Sequence, residues 1–331
     1  MDFDLTVVQR SWREKAQSLG RELAEDAAAA DVVIRAARAG LLDPQADLVA
    51  AAIAVEALAF ESAAAGMALA LHTSALLARV HLRQGSGGPA GDDGFAPLVR
   101  GETVGALSLS TEDVPSADGG MLTGRASWVG PMTERGVAIV GARQGDEGAA
   151  CAVSLDAKGV HIEPIKTSGL RGFVSAYVIF AGAPYVDAGP PMVIMARART
   201  LIAATALGIG ARALKESLAV AHRDRGAGGE QTVEGLLADT ATELDAARLL
   251  TWKAAARTET VSLAEASMAK LAAASAAQAA VIRATQVVGV DSFRRGHVIE
   301  RLTQDVRAIE LFAGRTEALR EAVANEELPR P

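Results

Sequence analysis

The groups that could carry acid–base chemistry lie in the C-terminal part of the chain. Glu310 and Glu317 are three and four positions away from Ala313, so on a continuous helix their carboxylates could share a face. His297 is a further titratable group a short distance before them. Each also has a structural interpretation, because surface carboxylates are mostly solvated or ion-paired and a lone histidine is more often structural. The spacing therefore gives candidate bases without selecting one.

Two arginines near the middle of the chain could bind an anion. Arg223 and Arg225 lie at the end of a long apolar stretch, where guanidinium groups could contact a diphosphate. An ordinary charged helix end is an equally good interpretation. The Gly-rich segment 226–229 that follows is too short and unpatterned to be a phosphate loop of its own.

Composition limits the class of protein. The 331 residues are 50% hydrophobic and carry a formal net charge of −7, which is typical of a globular protein and argues against a broad nucleic-acid footprint. Cys151 is the single cysteine, so we expect a buried structural thiol, no internal disulfide and no metal site. The charged start does not resemble a signal peptide, and the apolar region 48–80 contains Glu56, Glu61 and His72. We therefore expect a cytoplasmic protein without a membrane span.

Apolar periodicity and chain breakers predict a mainly α protein with a small β domain. Residues 1–100 are predicted to form an N-terminal helical domain that ends near the Gly-rich loop at 84–94. Residues 101–188 contain short β-prone runs separated by turns, which favours a small all-β domain. Residues 189–331 are predicted to form a C-terminal four-helix bundle. Its helices are predicted over 192–223, 231–257, 262–289 and 299–325.

Three stretches carry a resemblance to a known family. Residues 284–308, ATQVVGVDSFRRGHVIERLTQDVRA, align without a gap on the A-x-Q-x-x-G-G-x-G-Tyr, Glu-Arg-Leu and Arg-Asp-x-Arg segment of acyl-CoA dehydrogenases, with Val290 and Ser292 in place of glycines. Residues 237–250 resemble the family's L-A-D-M-x-x-x-x-E-A-A-R-L-L run, and 169–172 resemble its G-x-R-G turn. The resemblance implies an N-terminal helical domain, a middle β-barrel-like domain and a C-terminal four-helix bundle.

The resemblance also implies a reaction, which is the FAD-linked oxidation of an acyl-CoA thioester between Cα and Cβ, with electron-transfer flavoprotein as a partner. In that reaction a carboxylate removes the α-proton while a hydride leaves for the flavin. The family keeps this carboxylate at one of two positions, which correspond here to Ala313 and Ala198. Both are alanine, so no catalytic base is identified.

The residues that the resemblance assigns to ligands are only partly present. Gly130 replaces the threonine that faces the flavin ring, and Arg315 replaces the threonine after the family's Glu-Gly pair. Gln286 and Gly289 match contacts made to the flavin from a neighbouring subunit. We therefore expect FAD to be bound weakly, or shared across a subunit interface. The expected cofactor contacts are Trp128, Arg223, Arg225, Gln231, Gln286 and Gly289, and the expected substrate-side residues are Arg171 and Arg199.

Several functional hypotheses remain open. In the first, the chain is the subunit of a heteromeric acyl-CoA dehydrogenase that lacks the glutamate, an arrangement similar to paired subunits of actinobacterial steroid side-chain degradation. In a variant of it, the chain acts alone on an acyl-CoA with a rearranged site. The second hypothesis is a desulfinase- or monooxygenase-like reaction on the same fold, and the third is a non-catalytic interaction subunit. Flavin content of the purified chain, alone and with a homologue, distinguishes them.

Overall fold

The computed structural model describes residues 4–85, 96–110, 113–223, 230–257 and 261–328. Within these residues the predicted order is confirmed, because helices come first, a β region follows and a second helical region ends the chain. Arg225, the segment 226–229, the break near Thr258 and most of the Gly-rich loop at 84–94 lie outside the described residues.

The N-terminal region is built from alanine-rich helices that pack closely. α1 begins with a capping box in which Thr6 and Gln9 bond each other's backbone N–H groups. α3 and α4 are separated only by Ser62, and a Cβ added to Gly66 would lie 2.4 Å from Cβ of Ala59. Such contact requires small side chains on both helices. The helices are Val7–Glu22 (α1), Ala29–Arg38 (α2), Leu48–Glu61 (α3), Ala63–Gly85 (α4) and Ala96–Val99 (α5).

The β region is one eight-stranded sheet with its own apolar core. Its strand order is β6-β7-β3-β2-β4-β5-β8, and β1 pairs in parallel with β4. Cys151 is fully buried in this core, and burial raises the pKa of its thiol to about 12. The strands are Val104–Ser108 (β1), Ser116–Asp118 (β2), Met121–Val129 (β3), Gly136–Gln144 (β4), Glu147–Ser154 (β5), Val160–Ile165 (β6), Ser175–Pro184 (β7) and Val186–Asp187 (β8).

His72 joins the N-terminal helices to the sheet. The side chain is fully buried on α4, where Nδ1 accepts a hydrogen bond from the Gly105 N–H at 2.9 Å. Nε2 lies 3.2 Å from the Leu98 carbonyl oxygen, so a neutral ring protonated on Nε2 satisfies both contacts. Burial lowers the pKa of His72 to about 4.

The lowered pKa of His72 predicts that the folded chain becomes less stable at acidic pH. A histidine whose pKa is depressed by folding contributes stability above its unfolded pKa of about 6.5, and this contribution is lost as pH falls towards the folded pKa. We expect the free energy of unfolding to fall by about 2 kcal/mol from this group between pH 7.5 and pH 5. Denaturant titrations at the two pH values measure the difference. His72→Leu should be less stable at pH 7.5, because two buried backbone groups lose their partner, and should lack this part of the pH dependence.

The described residues of the C-terminal region form five α-helices where the sequence predicted four. The last predicted helix, 299–325, is wrong, because the chain turns between α9 and α10. Ala313 has a φ of 56° and Gly314 a φ of 110°, so neither residue can continue a right-handed helix. Glu310 and Glu317 therefore do not share a helical face. The helices are Pro191–Arg223 (α6), Glu230–Ala256 (α7), Leu263–Val288 (α8), Val298–Leu311 (α9) and Thr316–Glu327 (α10), and a 3-10 turn, Gly289–Phe293, extends α8.

Two of the described helical segments are long and apolar enough to cross a membrane by length and composition alone. The first, Pro191–Arg223, is the central helix of the bundle, and 83% of its most apolar stretch is buried. The second, Leu263–Phe293, has only 39% of that stretch buried. The first is therefore a core helix, whereas the second leaves apolar surface that the described part of the chain does not cover.

Candidate active site

The turn between α9 and α10, residues 312–315, contains the position of the expected base and is held by two buried cations. Arg199 of α6 donates from Nε to the Ala313 carbonyl oxygen at 2.9 Å. Lys270 of α8 donates from Nζ to the carbonyl oxygens of Gly314, at 2.5 Å, and Glu310, at 3.2 Å. We call residues 312–315 the Ala313 turn. Its backbone is fixed from both neighbouring bundle helices.

The cations of the Ala313 turn are strongly desolvated. Burial lowers the pKa of Arg199 to about 10. Burial, together with the positive charge of Arg199, lowers the pKa of Lys270 to about 7. The hydrogen-bond partners of both are neutral, since Arg199 donates its other bond to the Ser267 hydroxyl at 2.7 Å. The Glu310 carboxylate favours the charged form of Lys270. Burial of two basic groups side by side is nevertheless costly, so their presence points to a specific requirement for the geometry of this turn.

An aromatic cluster, consisting of Trp128, Phe173 and Phe312, connects the β region to the Ala313 turn. The Phe312 ring meets Phe173 edge-on with centroids 5.6 Å apart, and Trp128 edge-on at 6.4 Å. A Cβ added to Gly130 would lie 2.9 Å from Cζ of Phe173. The Phe173 ring therefore takes the space into which a side chain at position 130 would project.

Gly130 was identified from the sequence as a departure from the family, but Phe173 was not identified as a site residue. The available signal was its position, because it directly follows the G-x-R-G turn and is one of only seven phenylalanines. It is 3% exposed, whereas Trp128 is 45% exposed. The structure links the two positions, since the Phe173 ring occupies space that only a glycine at position 130 leaves free.

The turn at 169–172 docks on α9. The Leu170 N–H donates to Oδ1 of Asp305 at 2.6 Å, and a Cβ on Gly169 would lie 2.5 Å from the Gln304 carbonyl oxygen. Burial raises the pKa of Asp305 to about 6. Arg171 is exposed beside this contact, whereas Arg199 is buried at the Ala313 turn. The two expected substrate-side arginines therefore occupy different environments.

The expected cofactor contacts lie mostly on the outside of the single chain. Arg223 is the last residue of α6 and Gln231 is the second residue of α7. Both are exposed, and the undescribed segment that contains Arg225 lies between them. Gln286 is exposed near the end of α8, and Gly289 follows it half-buried. Trp128 alone belongs to the aromatic cluster. A single chain thus presents most of these residues outwards.

The three candidate bases have structural contacts. Glu310 accepts hydrogen bonds from the Thr316 hydroxyl at 3.1 Å and the Gln278 amide at 3.5 Å. Glu317 is exposed and 3.9 Å from Arg315. His297 caps α9 by accepting from the Ile299 N–H at 3.2 Å. These contacts favour the structural interpretation of each side chain.

Comparisons with known proteins place this geometry in a family. The sequence profile "Acyl-CoA dehydrogenase, C-terminal domain" matches residues 191–328. The human mitochondrial short-chain specific acyl-CoA dehydrogenase is 28% identical over 319 residues, which cover 84% of this chain and 75% of that protein. Residues 191–328 therefore form the C-terminal domain of the acyl-CoA dehydrogenase family, and the chain as a whole is similar to members of that family. This acyl-CoA dehydrogenase-like chain has alanine at both positions, 313 and 198, where a glutamate is expected.

Solved structures share the fold over the full length of the chain. Butyryl-CoA dehydrogenase from Megasphaera elsdenii superimposes with a TM-score of 0.86 at 19% identity, covering 99% of this chain and 100% of that one. Glutaryl-CoA dehydrogenase from Mycobacterium smegmatis, in complex with FADH2, gives a TM-score of 0.85 at 16% identity, with coverage of 98% and 96%. The predicted fold of an acyl-CoA dehydrogenase is confirmed.

Proposed function

We propose that this chain is a subunit of an FAD-linked acyl-CoA dehydrogenase in which a homologous chain supplies the catalytic glutamate. The observation that carries the proposal is the Ala313 turn, which keeps two buried cations on its carbonyl groups yet has no carboxylate. Ala198, the other expected base position, is fully buried and equally inert. Anchoring of this turn by two buried basic residues is better explained by a role in an assembly than by loss of the whole site.

The residues of this chain divide into two sets with respect to FAD, which supplies the hydride acceptor. Gln286 and Gly289 lie at the accessible end of α8 and would hold FAD that lies in the site of the partner. The ring side of this chain fits FAD poorly, because Phe173 fills the space beside Gly130. The proposal therefore has the chain contribute to a shared flavin site while it supplies no base of its own.

The substrate of the proposed complex is an acyl-CoA thioester, in lipid or steroid catabolism in the cytoplasm, and its electrons pass to electron-transfer flavoprotein. In the site of the partner, the glutamate takes the α-proton and the thioester oxygen requires hydrogen-bond donors. This chain stabilises the flavin-binding assembly from the outside of that site.

The proposal is tested by expressing the chain alone and together with each homologous acyl-CoA dehydrogenase chain of the same genome that carries the glutamate. We expect a colourless chain without turnover when it is alone. With its partner we expect a yellow complex, most simply two chains of each kind, that reduces an artificial electron acceptor with acyl-CoA. Mass, flavin absorbance and turnover measure this. A homo-oligomer with one FAD per chain and robust turnover would disprove the proposal.

A further inference from the structure

A cavity that is separate from the Ala313 turn lies between α1, α3, α6 and α7, and we call it the α7 cavity. Its volume is about 330 Å³, at the lower end of the range of small-molecule sites. Ala211 of α6 lines it and comes twelve residues after Arg199, which binds the Ala313 turn. The two places are therefore about 18 Å apart along α6.

One wall of the α7 cavity is apolar. Ile53, Ala57 and Phe60 recur along one face of α3, and Leu5 and Trp252 lie with them in the lining. Phe60 and Trp252 are half-buried, so part of their aromatic surface is accessible from the cavity. A ligand with an apolar body would cover this surface and remove it from water.

The ionisable part of the lining leaves one cation without a close counter-charge. It consists of Arg13, Glu56 and Arg248. Arg248 donates from Nε to Glu56 at 2.9 Å, so these two charges neutralise each other. Asp245 also pairs with Arg248, but it is 74% exposed and lies outside this lining. Arg13 acts electrostatically on Glu56 but forms no ion pair within the described residues, so its guanidinium is available to an anion.

A second cavity continues the first along α6 and α7. Its volume is about 240 Å³, and it shares Ala211 and Arg248 with the α7 cavity. Lys215 lines this second cavity, and its Nζ lies 5.2 Å from the centroid of the Phe60 ring. Leu218, which is 39% exposed, lies in the same lining. Basic groups and accessible apolar surface therefore lie side by side, as binding of an amphipathic anion requires.

We propose that the α7 cavity binds an aliphatic monocarboxylate, with its carboxylate at Arg13 and Gln17 and its chain on Phe60 and Trp252. Gln17 is part of the lining and adds a neutral amide donor to the guanidinium. One available guanidinium matches a monoanion better than a phosphate monoester, which carries about −1.5 to −2 charges. The small volume favours a short chain. No contact in this site involves the flavin or the Ala313 turn, so the inference does not rest on the proposed function.

The charge requirement is tested by titrating the full-length chain with octanoate in a calorimeter. We expect one site per chain with a Kd of about 1 mM or tighter. Arg13→Gln should weaken binding at least about fivefold, because a charge-assisted hydrogen bond is lost. Arg10→Gln removes the same charge from an exposed residue of α1 outside the lining, and should change binding less than about twofold. 1-Octanol should bind at least about fivefold more weakly than octanoate.

The location is tested by filling the cavity. Ala211→Leu enlarges a side chain of the lining and should weaken octanoate binding at least about tenfold, because it takes the space of the ligand. Ala219→Leu makes the same change at an exposed position of α6 outside the lining, and should change binding less than about twofold. Thermal unfolding of each variant verifies that it is folded.

The inference is overturned if octanoate does not bind the wild-type chain below about 10 mM. Equal binding by Arg13→Gln and the wild-type chain would also overturn it, as would unchanged binding by a folded Ala211→Leu chain. Tighter binding of 1-octanol than of octanoate would show that the cavity selects an apolar ligand without a charge. None of these results depends on flavin content or on a homologous chain, so each leaves the proposed function to its own test.

Discussion

Replacing the catalytic glutamate of the partner with alanine is expected to lower turnover of the complex by about 10²–10⁴-fold. In this chain, expressed alone, Ala313→Glu is expected to produce no turnover. The first effect has the size typical of a lost general base. The second follows from the aromatic cluster, because Phe312 adjoins residue 313 and packs on Phe173, which fills the space beside Gly130. A carboxylate at position 313 would have no open flavin site to serve.

The fold should tolerate this substitution. The φ of 56° at residue 313 strains alanine and glutamate alike, since both have a Cβ. The side chain at this position is half-buried, which leaves room for a longer one to reach solvent. Ala313→Gln is the matched control for size without a carboxylate. A gain of more than about tenfold in acyl-CoA turnover over Ala313→Gln would contradict the interpretation that the site is closed.

The sequence predicted the helical and β regions because their patterns are strong over many residues. Alanine- and leucine-rich stretches such as 192–223 have no breaker, and α6 runs over Pro191–Arg223. β3, Met121–Val129, has a weaker strand pattern, because it contains Gly124 and several polar residues. The break at Phe312–Arg315 was missed because alanine, a strong helix former, occupies a left-handed conformation there.

Only part of the candidate site could be predicted from the sequence. The absence of a carboxylate at Ala313 and Ala198 could be read directly from the aligned motifs. The contacts that fix the Ala313 turn could not be predicted. Lys270 is 43 positions away from Ala313 along the chain, and in the sequence it resembles an ordinary surface lysine in an alanine-rich helix. The relation of Phe173 to Gly130 likewise depends on two strands that meet only in the folded sheet. Long-range contacts of this kind leave no local pattern.

Opening the aromatic cluster is expected to restore space for a ligand. Gly130→Thr alone should destabilise the chain by about 1–3 kcal/mol, because its Cβ would be 2.9 Å from Phe173. Phe173→Ser alone should cost about 3 kcal/mol or more through the cavity it leaves. In the double variant the threonine enters that cavity, so the combined cost should be smaller than the sum by about 1–3 kcal/mol. Denaturant unfolding of the four proteins measures this coupling.

The same double variant should bind FAD at least about tenfold more tightly than the wild-type chain. The reason is that the Phe173 ring no longer fills the space beside residue 130. At that position the family has the threonine that faces the flavin. Flavin fluorescence quenching on titration with FAD measures the affinity. Phe180→Ser, which removes a fully buried phenylalanine from the core of the same sheet, is the control for a general loosening of the β region. Equal gains in the double variant and in Phe180→Ser would show that Phe173 does not specifically close the flavin side of the site. Additive unfolding energies for Gly130→Thr and Phe173→Ser would show that the two side chains do not compete for one space.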